Sequence, residues 1–291
     1  MSFIAPPALR PGDRVAVVAP AGPFERAVFE RGLAVLASRY TPAFEPSLFE
    51  RHRYLAGDDA SRQAQLQRAL DDDTVRAVFA ARGGYGVMRL LPALRWGTPR
   101  HLVGFSDVTA LHLAAQAQGW RSLHAPVLTQ LGSQSPEVAA RLFACLEGEG
   151  VAPLQGRRTV VPGVATGPLL GGNLSVLTCL LGTPFLPSLR GAVLLLEDVG
   201  ERPYRLDRMW TQLRLAGQLE GLAGVVFGDF TGCEEQGATW SSAEVLDELA
   251  FALGVPCAAG FPIGHGAVNQ PVQLGAQVTL DATAKTLTVH A

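Results

Sequence analysis

The sequence predicts an α/β protein with an N-terminal α/β domain on a parallel sheet and a smaller C-terminal domain of mixed α/β character. Three observations carry this. Apolar runs at 14–19 (RVAVVA), 75–80 (VRAVFA) and 102–105 alternate with helical patterns, as in βαβ units. The stretch 148–167 is rich in Gly and Pro and has no helical period, which marks a boundary or linker. The tail breaks into short apolar runs at 272–274, 278–280 and 287–289, which read as antiparallel strands. The expected domains are 1–150 and 165–291.

Taken in order, Pro11-Gly12-Asp13 opens the first strand, and the loop 20–23 (PAGP) closes it. A helix follows over 25–39, with Val28, Phe29, Leu33, Val35 and Leu36 mostly on one side. Residues 61–70 form another, with Ser61 as its expected cap. The strand 75–80 runs straight into Arg82-Gly83-Gly84-Tyr85-Gly86, and a short helix covers 87–94. The next apolar run ends at Ser106-Asp107, where Val108, Leu111 and Ala115 take up helical spacing. A further strand lies near His124, and a helix with Pro in its first turn covers 136–146. Beyond the boundary, Asn173 is placed to cap a helix through Leu181. Residues 192–196 (AVLLL) read as a fully buried strand with Glu197-Asp198 at its C-terminal end. A helix covers 203–216, a strand 224–227 leads to Gly228-Asp229-Phe230, and Ser241 or Ser242 caps a helix through Leu253.

Composition narrows the function. With 48% hydrophobic and 17% charged residues the chain is globular. A net charge of −2 argues against a dedicated nucleic-acid binder. Lys285 is the only lysine, so no other lysine is available as a base or Schiff-base residue. No apolar run reaches membrane-spanning length, and the N-terminal residues lack a signal pattern. Cys145, Cys179, Cys233 and Cys257 have no metal or redox spacing and fit free thiols in a reducing cytoplasm, with Cys179 and Cys257 as core fillers. The Arg82–Gly86 loop lacks both the dinucleotide fingerprint and the Walker pattern, and no cofactor or metal is expected.

Ser106 stands at the centre of the chemistry. A serine on a sharp turn from strand to helix meets unpaired backbone N–H groups, which suit a nucleophile and its oxyanion. The same Ser-Asp pair is also ordinary helix-capping chemistry. Position 108 is Val where the esterase elbow motif has Gly. Glu197 is either paired in the interior or a rim carboxylate beside Arg202 or Arg205, with Asp198 and Glu201 as competing acids. His265, between two glycines, is one candidate base, and His112 and His124 are rivals. Ser106, His265 and Glu197 supply the residue types of a catalytic triad, and the Gly84 and Asp107 amides those of an oxyanion hole.

Together these segments resemble the LD-carboxypeptidase family of serine peptidases, which includes murein tetrapeptide carboxypeptidases and microcin C self-immunity peptidases. The resemblance rests on PGDRVAVVAPAGP (11–23), ARGGYG (81–86), GFSDVTALH (104–112), GGNLS (171–175), LLLEDVGERPYRLDRM (194–209) and GHG (264–266), in the family's order along nearly the whole chain. It implies a Ser106 nucleophile, a His265 base, a Glu197 acid, and oxyanion donors at the Asp107 and Gly84 amides. It implies an active site in the cleft between two domains, a homodimer, and no metal. The implied reaction is hydrolysis of an L-diamino acid–D-alanine bond in cytoplasmic muropeptides, with cleavage of peptidyl- or aminoacyl-nucleotides as the alternative. A non-catalytic muropeptide-binding protein is the alternative of another class. Arg82 and Arg202 are candidates to pair with a substrate carboxylate.

Overall fold

The computed structural model describes residues 3–290 and consists of two sheets with helices packed against them. In the first half, strand β1 (Arg14–Val18), helix α1 (Arg26–Ala37), β2 (Thr41–Ala43), α2 (Asp59–Asp71), β3 (Ala77–Ala80), β4 (His101–Gly104), α3 (Thr109–Ala117) and β5 (Ser122–His124) follow one another. Helices α4 (Leu128–Leu131) and α5 (Pro136–Leu146) complete it. The second half holds β6 (Leu154–Gln155), β7 (Arg158–Val161), β8 (Val164–Asn173), α6 (Leu174–Cys179), β9 (Val193–Val199), α7 (Pro203–Leu215), β10 (Gly224–Thr231), α8 (Ser242–Phe251) and β11 (Cys257–Ala259). It ends with β12 (Val272–Leu274), β13 (Gln277–Asp281) and β14 (Thr286–Val289).

The first sheet runs β2-β1-β3-β4-β5-β12. Its first five strands are parallel, while β12 comes from the far end of the chain and pairs antiparallel with β5. The chain leaves β1 in one direction to make β2 and returns on the other side to make β3. In open α/β sheets, ligands bind outside the carboxyl ends of strands at such a reversal. Here that point is the gap between the loops after β1 and β3. The Gly22 N–H donates to the Gly83 carbonyl at 3.0 Å across it.

In the second sheet, β8, β9, β10 and β11 are parallel, and antiparallel strands flank them. Strand β8 serves both parts. Its residues 164–168 pair antiparallel with β13, and 169–173 pair parallel with β9, which sets Asn173 beside Glu197. The Gly/Pro-rich run read as linker thus carries β6, β7 and the start of β8. Gly167 and Gly171 are needed in β8: a Cβ there would lie 2.2 Å from the Gly191 carbonyl oxygen and 2.1 Å from that of Leu195.

One apolar cluster includes Val78, Leu102 and Phe105 from the first half and Leu170, Leu194 and Trp210 from the second. Helix α3 lies within it, buried from Thr109 to Gln116. The Thr109 hydroxyl accepts the Asn173 N–H at 3.0 Å and ties the helix after Ser106 to the end of β8. The cap expectations resolve as Asp58 rather than Ser61 for α2, and Ser241, in a full capping box, for α8. The short helix read over 87–94 is two 3₁₀ turns. Cys179 is exposed at the end of α6, which corrects its reading as a core filler, whereas Cys257 is buried.

Candidate active site

Ser106 is one of three non-glycine residues with positive φ among the described residues, at 63°. A left-handed non-glycine conformation costs about 1–3 kcal/mol and persists only where the surroundings impose it. Here they do. Gly104, two residues earlier, has no room for a side chain: a Cβ would lie 3.0 Å from both Val108 methyls and 3.2 Å from the Ala80 Cβ. Val108, where the elbow motif has glycine, fills this contact. The Ser106 side chain makes no cap hydrogen bond: Phe105 is the N-cap residue of this turn, and its side chain makes none either. The capping explanation of Ser106 therefore fails.

The loop after β3 lies against this turn. A Cβ on Gly83 would fall 2.8 Å from the Ser106 Cβ and 2.9 Å from its Oγ. Gly84 follows with φ of 113° and packs on Gly22. The Asp107 carboxylate points away from solvent and accepts the Val87 N–H at 2.9 Å. Burial pushes its pKa up to about 6, against the opposing effects of that N–H and of Arg62.

Glu197 ends the apolar run of β9 and is fully buried. Its Oε2 accepts a hydrogen bond from His265 Nδ1 at 2.6 Å. Burial raises the carboxyl above its ordinary range, and the His265 bond opposes that rise. The rim-carboxylate alternative is excluded, and Arg205 instead pairs with Glu201.

Two hydrogen bonds and one close contact hold the His265 loop. The Gly264 N–H donates to Asn269 Oδ1 at 2.9 Å and the Asn269 N–H to Gln134 Oε1 at 3.1 Å, and Gly266 packs on the Asp229 carboxylate, where a Cβ would lie 2.2 Å from Oδ2. The Phe105 and His265 ring centroids are 4.6 Å apart, so the imidazole lies beside the residue preceding Ser106. With Nδ1 engaged by Glu197, Nε2 is the ring nitrogen left for another partner.

The rival histidines are enclosed. His112 donates to the Gly104 carbonyl, and neither ring nitrogen of His124 has a partner among the described residues. Burial lowers their pKa values to about 4 and about 3, so both stay neutral at ordinary pH. Arg82 is exposed and donates to the Pro23 carbonyl at 2.7 Å, and Arg202 pairs with Glu235 at 3.2 Å. Among the described residues, no three or more His, Cys, Asp or Glu side chains gather as a metal site, and no helix is long and apolar enough to cross a membrane.

Two family models match this chain. The LD-carboxypeptidase N-terminal domain model matches residues 15–125, and the C-terminal domain model matches residues 166–280. The chain belongs to the LD-carboxypeptidase family. It is a serine carboxypeptidase, a hydrolase. The murein tetrapeptide carboxypeptidase of Pseudomonas aeruginosa is 36% identical, over 92% of this chain and 93% of the relative. The muramoyltetrapeptide carboxypeptidase of Oxalobacter formigenes superposes with a TM-score of 0.84 at 28% identity, over 94% of this chain and 97% of that one. The microcin C7 self-immunity protein MccF, in complex with aspartyl sulfamoyl adenosine, shares the fold at a TM-score of 0.87 and 18% identity, over 99% and 98% of the two chains.

Sequence reasoning did not single out Asp229 or Asn269 as supports of the His265 loop, nor Arg62 under the β3 loop. Asn269 was within reach, since it stands four residues after His265 in a loop without regular structure. Arg62 carried no signal, because arginines on helices are mostly exposed.

Proposed function

We propose that Ser106, His265 and Glu197 form a catalytic triad that hydrolyses the bond between an L-diamino acid and a terminal D-alanine in muropeptides. The Glu197–His265 hydrogen bond, carried to the Ser106 turn by Phe105, is the observation on which this reading rests. His265 Nε2 takes the Ser106 hydroxyl proton as Oγ attacks the scissile carbonyl. The oxyanion falls to the amides of Asp107 and Gly84. The intermediate collapses, the C–N bond breaks, and His265 returns the proton to the departing D-alanine amine. Water, deprotonated by the same imidazole, then releases the acyl group. Glu197 fixes the tautomer and supports the imidazolium. Arg82, beside the Gly83 loop, and Arg202 are the proposed partners of the substrate carboxylate.

The first-half and second-half segments, 1–150 and 165–291, act as two domains in this reading, with the serine on one and the Glu–His pair on the other. The cytoplasm, where muropeptides are recycled, is the proposed location, and a homodimer the proposed assembly. The likeness to the self-immunity protein supports a second reading, cleavage of a peptidyl- or aminoacyl-nucleotide. Exposed Tyr204 and Trp240 are available to stack on a base. Parallel assays of D-alanine release from a murein tetrapeptide and of hydrolysis of aspartyl sulfamoyl adenosine separate the two. Turnover of the tetrapeptide alone supports the first reading, and turnover of the nucleotide alone overturns it.

A further inference from the structure

Arg62 is the largest polar side chain completely shielded from solvent among the described residues. It sits in the second turn of α2, a position where an arginine ordinarily reaches water. A buried guanidinium is expensive unless its donors are used. Nη1 donates to two carbonyls, that of Pro20 just after β1 and that of Gly86 at the end of the β3 loop, the latter at 3.0 Å. Nη2 pairs with Asp59 one turn earlier. Asp59 also accepts Arg89 Nε at 2.8 Å, from the 3₁₀ turn that follows the loop.

The carbonyls are those of the two segments that meet at the reversal point of the sheet. The approach is so close that a Cβ on Gly86, at φ of 131°, would lie 2.6 Å from Arg62 Nη1. On the other side, the Asp107 carboxylate accepts the N–H of Val87, the next residue along. The end of the Gly83–Gly86 loop is therefore gripped twice, by a cation on its carbonyl and by a carboxylate on the next N–H. The carboxylate belongs to the residue directly after Ser106.

We propose that Arg62 is a positioning residue that, with the Asp107 carboxylate, holds the Gly83–Gly86 loop in register with the Ser106 turn, so that the oxyanion donors are in place before substrate arrives. Neither side chain touches the reacting atoms in this role; both act through the loop backbone. The fork of the guanidinium is essential, because a lysine ammonium cannot serve Pro20, Gly86 and Asp59 in one plane. This inference rests on the reading of Ser106 as nucleophile.

The test uses a fluorophosphonate, which reacts with an activated serine whichever substrate the enzyme prefers. Second-order labelling rates are measured for wild type, Ser106→Ala, Arg62→Met and Arg62→Lys, with circular dichroism and melting to count folded protein. KM and kcat are measured in parallel on whichever of the two substrates above is turned over. The expected result for folded Arg62→Met is a labelling rate and kcat lower by about 10²-fold, the scale of a lost oxyanion donor, with KM little changed. Arg62→Lys is expected to recover less than about tenfold of that loss.

Should Arg62→Met not fold, Asp107→Ala and Asp107→Asn decide. Alanine is expected to lose a similar factor, and asparagine, whose Oδ1 still accepts the Val87 N–H, to recover most of it. Folded Arg62→Met, or Asp107→Ala, labelled at the wild-type rate overturns the clamp. If that happens while Ser106→Ala is unlabelled, the nucleophile reading survives and the clamp alone falls. If wild type is not labelled at Ser106, both fall.

Discussion

Glu197 Oε2 lies 2.6 Å from His265 Nδ1, and the glutamate is completely shielded from solvent. A Cβ on Gly264, at φ of 118°, would lie 2.6 Å from the same oxygen, so glycine is what lets the loop bring its histidine down onto the acid. Glu197→Gln keeps the shape and removes the charge that orients and supports the imidazolium. We expect kcat to fall by about 10³–10⁴-fold, by analogy with the amide variant of a serine-protease aspartate, with KM nearly unchanged. The stability change runs the other way. The carboxyl is raised in the folded protein, so its contribution is fully present below its unfolded pKa and is lost as pH rises through the folded value. At pH 8 the Gln variant should therefore melt no lower than wild type. A kcat within tenfold of wild type would contradict the role given to Glu197.

Gly83 has an ordinary φ, so alanine is acceptable to its backbone, but the added methyl would sit 2.8 Å from the Ser106 Cβ. Either the loop retreats or the serine turns. Gly83→Ala should fold and yet lose on the order of 10²-fold in kcat, the consequence of misplacing reacting groups by a fraction of an ångström to 1 Å. Melting temperature and kcat measured together check this, and a large loss of stability with activity per folded molecule unchanged would count against it.

How far the sequence discloses this molecule depends on what each residue's role demands of its neighbours. Ser106, Glu197 and His265 are legible because each sits where a strong local pattern breaks: an apolar strand ending at a turn, a five-residue apolar run ending in an acid, a histidine between glycines. Helices with conventional signals, such as Pro203 at the start of α7 and Ser241 with Glu244 at the start of α8, are legible for the same reason. Strand β2 is not, since Pro42 demotes a short run; the sheet accepts it because β2 is an edge. Strand β8 is hidden by its own glycines, which its close neighbours require, and so it reads as part of a linker. The meeting of His265 with Glu197 is a tertiary fact: 68 residues separate them, and no local spacing announces it.

His124 gives a separate test in acid. It is fully enclosed beside Phe105 at the end of β5, and both its ring nitrogens lack partners among the described residues. Burial lowers its pKa from 6.5 to about 3. The neutral ring's contribution to stability is thus present above pH 6.5 and is lost as pH falls toward 3. His101 and His112, each lowered to about 4, act in the same direction. His124→Leu removes one of the three. Its loss of unfolding free energy between pH 7 and pH 4.5 should be smaller than that of wild type by about 2 kcal/mol. Denaturant titrations at the two pH values check this; equal losses in the two proteins would mean that His124 is not held neutral by burial.

The measurement that bears most directly on the whole reading is D-alanine release from a murein tetrapeptide by wild type and by Ser106→Ala. Wild-type release with a fall of about 10⁶-fold in the variant, the scale of losing a triad nucleophile, is the expected result. Equal release by both proteins would show that Ser106 is not the nucleophile.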